Sequence, residues 1–157
     1  MRSHSMTRLF AVLTTTLALA ATSAPARAQM SSTSQEKSLY QRLGGYDAIA
    51  AVTDDFIQRL ATDEQLARFF GGHSKDSLGR LRQLVVDQVC FATGGPCVYI
   101  GRDTKTAHAG LGITNAQWDR SVEHFVATLD KFKVPEQEKN ELVGVVAKLK
   151  ADIVEKM

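Results

Sequence analysis

From Leu39 onward the hydrophobic positions recur at intervals of three and four, the period of an amphipathic helix and not the alternation of a strand. Ile49, Val52, Phe56 and Leu60 form one stripe, and Leu78, Leu81, Val85 and Val89 a second. Trp118, Val122, Phe125, Leu129 and Phe132 form a third, and Leu142, Val145, Val146, Leu149 and Ile153 a fourth. Each stripe predicts a helix that buries one face, because helices of this length owe their stability to packing. Gly44-Gly45, Gly71-Gly72 and Gly94-Gly95-Pro96 interrupt the pattern where helices must stop. Thr114 with Gln117 three residues on has capping-box spacing, and Pro135 followed by Glu136 and Glu138 suits the opening of the last helix. The expectation is an all-α domain of four principal helices and several short ones, without internal repeats.

The segment before Leu39 follows another logic. Residues 1–28 combine a basic stretch ending at Arg8, an apolar run from Leu9 to Ala21, and Ala26-Arg27-Ala28, a small-x-small pattern. This reads as a signal peptide cleaved before Gln29, since the run is shorter than the ~20 residues of a membrane span. Residues 29–38 are polar, without apolar period, and read as a flexible leader to the domain at 39–157. The protein is therefore expected to be exported, to the periplasm in the first instance, and to need no membrane once the signal is removed.

Composition sharpens this picture in two respects. A chain of 157 residues with 44% hydrophobic side chains suits one domain with one core and excludes a disordered polymer. Three of the 19 basic residues lie before residue 29 and no acidic one does, which leaves 16 basic against 17 acidic side chains in the remainder. Such a balance gives no electrostatic footprint for nucleic acid.

Cys90 and Cys97 would lie ~10 Å apart along a continuous helix, beyond the reach of a disulfide. Thr93-Gly94-Gly95-Pro96 breaks the helix between them, so the chain can fold back and bring the sulfurs together. Two buried thiols or a redox pair stay open beside a structural disulfide, which an oxidising compartment favours. Neither a C-x-x-C nor a C-x-x-C-H is present, which gives no sign of thioredoxin chemistry or covalent haem attachment. Of the histidines, His4 departs with the signal, and His73 and His124 read as surface residues. His108 sits in Lys105-Thr106-Ala107-His108-Ala109-Gly110-Leu111-Gly112, a short turn ended by glycines. By spacing alone it is a structural histidine more readily than a ligand.

Taken together, Leu39-Tyr40-x-x-Leu43-Gly44-Gly45, Phe69-Phe70, Gly94-Gly95-Pro96 and Ala107-His108-Ala109-Gly110-Leu111-Gly112-Ile113-Thr114 resemble a group I truncated haemoglobin, as does Val122–Leu129. The resemblance extends from Leu39 to about Val154. It implies a two-over-two helical sandwich around haem b (iron protoporphyrin IX), with His108 as the proximal ligand to iron and its second ring nitrogen oriented by a carbonyl. Phe70 matches the phenylalanine that packs flat on the porphyrin in that family, and Phe56, Leu81 and Val85 are expected to line the pocket.

The departures bear on function. Ile57 stands where these proteins commonly carry a tyrosine whose hydroxyl donates to bound oxygen, and an ungapped alignment puts Leu81 and Val85 where glutamine is frequent. A shifted register places Leu78 and Arg82 there instead, and Gln88 and His73 are the other candidates for a distal donor. An apolar distal pocket weakens oxygen affinity about 3- to 100-fold relative to a tyrosine-bearing relative, with CO far less affected.

The resulting expectation is a monomeric haem protein that binds O2, CO or NO reversibly and is not itself an enzyme. The alternatives are a nitric oxide dioxygenase fed by a separate reductase, a gas sensor, and a helical interaction module that has lost haem.

Overall fold

The computed structural model describes residues 36–156. The signal-peptide reading of residues 1–28 and all of the leader but its last three residues lie outside the described residues, as does Met157.

The described residues form helices joined by turns and loops: α1 (Leu39–Arg42), α2 (Gly45–Thr62), a 3-10 turn (Ala67–Phe69), α3 (Lys75–Ala92), α4 (Thr104–His108), α5 (Asn115–Lys131), α6 (Glu136–Ala147) and α7 (Lys150–Ile153). The four long helices pair as α2 with α3 and α5 with α6, and α2 also packs on α5, which makes the expected two-over-two sandwich. Short α1 ties α2 to α6, and α7 lies against α4. Among the described residues the β pairing is one isolated parallel bridge, Thr114 to Lys156.

Caps explain most helix starts. Thr114 and Gln117 form the expected capping box at α5, and Ser38 with Gln41 forms a second at α1. Ser74 caps α3 and Asp103 caps α4 through their side chains. Pro135 is the residue just before α6, where its missing N–H removes nothing from the ladder.

The core has two centres. Ile49 and Ala50 of α2 meet Val86 and Cys90 of α3, flanked by Tyr40, Tyr46 and Val89. Phe125 and Leu129 of α5 meet Leu142 of α6, and Phe56 joins them, its ring edge-on to Phe125 with centroids 5.1 Å apart. Each fully buried aliphatic side chain here contributes about 1.5–3 kcal/mol.

The observed faces depart from the predicted stripes in instructive places. The most deeply buried α3 positions are Val86 and Cys90, whereas Leu81 in the predicted stripe is 36% exposed. Phe132, assigned to the α5 stripe, is the C-cap residue and is 41% exposed. The fourth stripe is split, because α6 ends at Ala147 and a tight turn through Lys148 and Leu149 precedes α7. His124 is not a surface residue: its side chain is 16% exposed and Nε2 donates to Asp63 Oδ2 at 2.8 Å. Arg120 Nε and the Gln65 amide bond the same carboxylate, and His124 first, then Arg120, hold Asp63 well below the usual carboxylate range. Asp55 plays the same part between α2 and α5, accepting from Arg59 at 2.6 Å, from the fully buried Thr128 hydroxyl at 2.9 Å, and from Lys131.

The end of α3 is a Schellman turn. Gly94, at φ 82°, donates its amide to Phe91 O, and Gly95 donates to Cys90 O. The turn sends the chain back so that Cys97 bonds Cys90 in a disulfide, with Cα atoms 5.8 Å apart. Gly95 is wedged here: a Cβ on it would lie 2.5 Å from the Tyr40 ring and 2.6 Å from Cys90 Sγ.

Candidate functional site

His108 ends the five-residue helix α4 and is half-buried. One turn cannot hold itself in water, so the ring's position must be set by its surroundings. Asp103 fixes the start, its carboxylate accepting from the Thr106 amide at 2.9 Å and the Thr106 hydroxyl at 2.7 Å. The His108 ring is fixed by its own helix: Nδ1 lies 2.8 Å from Thr104 O. A carbonyl only accepts, so Nδ1 carries the hydrogen, and in the neutral ring the lone pair is on Nε2. That is the arrangement of a histidine presenting Nε2 to a metal, with the second nitrogen held by the backbone.

Gln88 reaches α4 from α3, its Nε2 donating to Thr104 Oγ1 at 3.2 Å. This contact orients the faces of α3. Arg82, Val86 and Cys90 share one face by helical period, and that face is turned to α2. There Arg82 pairs with Asp54 at 2.5 Å and 2.9 Å, and the other two join the core. Leu81, Val85 and Gln88 share the adjoining face, and Gln88 shows that it looks toward α4. Leu81 and Val85 thus lie on the face of α3 from which Gln88 reaches α4, as Leu78 does by the same period, and the Arg82 guanidinium is engaged with Asp54. Val85 is half-buried, and Leu81 stands partly exposed on the same apolar strip.

Ile57 is half-buried on α2, next to Phe56 in the α2–α5 core. Phe70, the residue after the 3-10 turn, is half-buried as well. His73 is exposed in the following loop, and the Gln88 amide gives one of its two N–H groups to Thr104 Oγ1. A cleft of about 300 Å³ opens between α5 and α6, lined by Trp118, Val122, Val143 and Val146, and it contains none of the candidate site residues. Among the described residues no group of three His, Cys, Asp or Glu side chains is placed to hold a metal ion.

Sequence reasoning missed four contributors. Asp103 and Thr106 carry a readable N-cap spacing. Thr104 acts through its carbonyl, which leaves no residue signature. Glu155 lies far from His108 in sequence, yet its carboxylate accepts the amides of Gly110 and Gly112, each at 2.6 Å, just beyond the histidine. Those two amides hold the Glu155 carboxyl below its usual range.

Residues 38–155 match the Bacterial-like globin family. A group 1 truncated haemoglobin of Mycolicibacterium paratuberculosis is 34% identical over 116 residues, 74% of this chain and 83% of the relative. Truncated haemoglobin from Tetrahymena pyriformis in its Fe(III) form superposes with a TM-score of 0.70 at 28% identity, over 76% of this chain and all of that one. The 2/2 haemoglobin of a Synechococcus species, in the cyanomet state and with covalently attached haem, gives 0.69 at 27% identity, over 75% and 98% of the two chains. With the helical fold in agreement with these matches, the chain belongs to the bacterial-like globins, among the group 1 truncated haemoglobins.

Proposed function

We propose that the protein binds haem b against the apolar strip of α3, with His108 as axial ligand, and takes up a diatomic gas reversibly on the opposite face. The observation that supports this best is the 2.8 Å bond from His108 Nδ1 to the Thr104 carbonyl, which leaves Nε2 available. Haem, when bound, supplies an iron with one position open to O2, CO or NO. The chain does the rest. Thr104 fixes the tautomer and the azimuth of the imidazole and raises its basicity as a ligand. Phe70 and Phe56 provide flat apolar surface, and Leu81 and Val85 exclude water from the α3 side. Ile57 brings no hydrogen-bond donor, so the pocket discriminates little in favour of oxygen over CO.

The fit is a chemical one. A macrocycle needs one nitrogen from the protein and an apolar wall, which His108 and the apolar side chains of Phe56, Phe70, Leu81 and Val85 would supply. The disulfide supports maturation in an oxidising compartment, in keeping with the export signal read at residues 1–28.

Absorption spectra of the ferric, ferrous and ferrous–CO forms test the reading. A Soret band that shifts on CO addition, and that His108→Ala abolishes or displaces, is the expected result. A chain that stays colourless with hemin, or a His108→Ala spectrum identical to wild type, overturns it.

A further inference from the structure

We propose that the C-terminal residues 154–156 form a strap that aims the proximal histidine, with Glu155 as the positioning residue. The inference rests on the reading of His108 as axial ligand and extends it to residues that no local pattern connects to that site.

The geometry is cooperative. Glu155 Oε1 accepts from the Gly110 amide and Oε2 from the Gly112 amide, each at 2.6 Å, so one carboxylate spans both ends of the Gly110-Leu111-Gly112 turn. The backbone follows: Ile113 O accepts from the amides of Glu155 at 2.9 Å and Lys156 at 3.2 Å, and Asn115 donates to Lys156 O at 3.3 Å. Gly110 and Gly112 have φ of 83° and 62°, a left-handed path in which their N–H groups point outward and need an acceptor. Leu111 in turn donates to His108 O at 3.2 Å, so the clamped turn is bonded to the histidine's own carbonyl.

α4 therefore has two anchors. Asp103 caps its start, and the strap holds its exit. With both in place the His108 Cα is fixed, and the Thr104 carbonyl then sets the ring. Without the strap, a one-turn helix followed by two left-handed glycines is free to pivot, and the direction of Nε2 pivots with it.

The test uses the haem-loaded full chain as wild type, Glu155→Ala, Glu155→Gln and His108→Gly. Three quantities are read: the iron–histidine stretching band of the ferrous protein, the rate of hemin transfer to a haem-scavenging apoprotein, and amide exchange at Gly110 and Gly112. Glu155→Ala is expected to lose protection at both glycines, to broaden or shift the band, and to release hemin about tenfold faster. Glu155→Gln keeps one acceptor and turns an N–H toward the second amide, so its effects fall between. Loss of glycine protection with the band and the hemin rate unchanged overturns the proposal, because the strap is then only structural. A His108→Gly protein with the wild-type band removes the axial assignment itself, a failure distinct from that of the strap.

Discussion

Reduction of the Cys90–Cys97 disulfide is a direct test of how this small domain is held together. The bonded cysteines are seven residues apart, so the closed loop holds eight residues. Chain-entropy bookkeeping assigns a crosslink of that size about 2.5 kcal/mol at room temperature, acting through the unfolded chain. For a domain of roughly 120 residues this corresponds to about 10 °C in melting temperature. The folded state should change little. The Schellman turn, with Gly94 donating to Phe91 O and Gly95 to Cys90 O, brings the two residues together without the covalent bond. Cys90 is fully buried, so as a thiol it remains an apolar core residue, whereas Cys90→Ser would bury a hydroxyl and confuse the measurement. The clean experiment is far-ultraviolet circular dichroism melting with and without reductant, with Cys97→Ala as control. A drop of about 10 °C in both, with an unchanged native spectrum, is expected. A drop below about 3 °C refutes the entropic account, and a changed native spectrum shows that the turn needs the bond.

Three further outcomes follow from the same structure. Ile57→Tyr supplies the missing distal donor and should raise oxygen affinity about 3- to 100-fold while moving CO affinity far less; equal shifts for the two gases in flash photolysis would contradict an apolar pocket. Gly95→Ala forces a Cβ to within 2.5 Å of the Tyr40 ring and 2.8 Å of Cys90 O, so it should destabilise by about 1–3 kcal/mol or more, and an unaltered urea midpoint would mean that this wedge yields freely. Asp63 is held below the usual carboxylate range by His124 and Arg120, so its pairing stabilises the fold above the unfolded carboxylate pKa of about 4 and is lost as pH falls through the lower folded value. Urea midpoints should therefore decline below about pH 4, and Asp63→Asn should flatten that slope; parallel slopes for the two proteins would count against the ion cluster.

How far the sequence revealed this structure depended on whether each determinant was local. Helices α2 and α5 were legible because their apolar period and the Thr114–Gln117 box sit within a few residues of each other. The α3 face was only half legible. Leu78, Leu81, Val85 and Val89 make the obvious stripe, but Val86 and Cys90 are the positions sealed against α2, and the apolar strip they leave looks toward α4. Periodicity reports apolar surface and says nothing about which apolar neighbour receives it. His124 misled for a related reason: it lies off the α5 stripe, yet Asp63, from the far end of α2, arrives to bury it. His108 stood out only through family resemblance, because its significance lies in a bond to a main-chain carbonyl that any residue at 104 could supply. Glu155 had no signal at all, since the partners of its carboxylate are the amides of two glycines more than forty residues away.

The distribution of polar contacts around the site carries its own argument about how such a protein selects a ligand. Ile57 of α2 and Leu81 and Val85 of α3 are apolar side chains, and the Gln88 amide gives one N–H to Thr104. On the α4 side nearly every orienting group is tied: Asp103 to Thr106, Thr104 to both Gln88 and His108, and Glu155 to Gly110 and Gly112. A pocket without a distal donor cannot favour one diatomic over another by hydrogen bonding. What remains is the geometry and basicity of the axial nitrogen, and those are the properties that the ties around α4 control. The same segment is tethered at its upstream end by Cys97 and at its downstream end by Glu155, so the covalent and the polar restraint act on one short stretch of chain. On the proposed reading, gas affinity is thereby set from the His108 side, by the rigidity of a helix too short to be rigid alone.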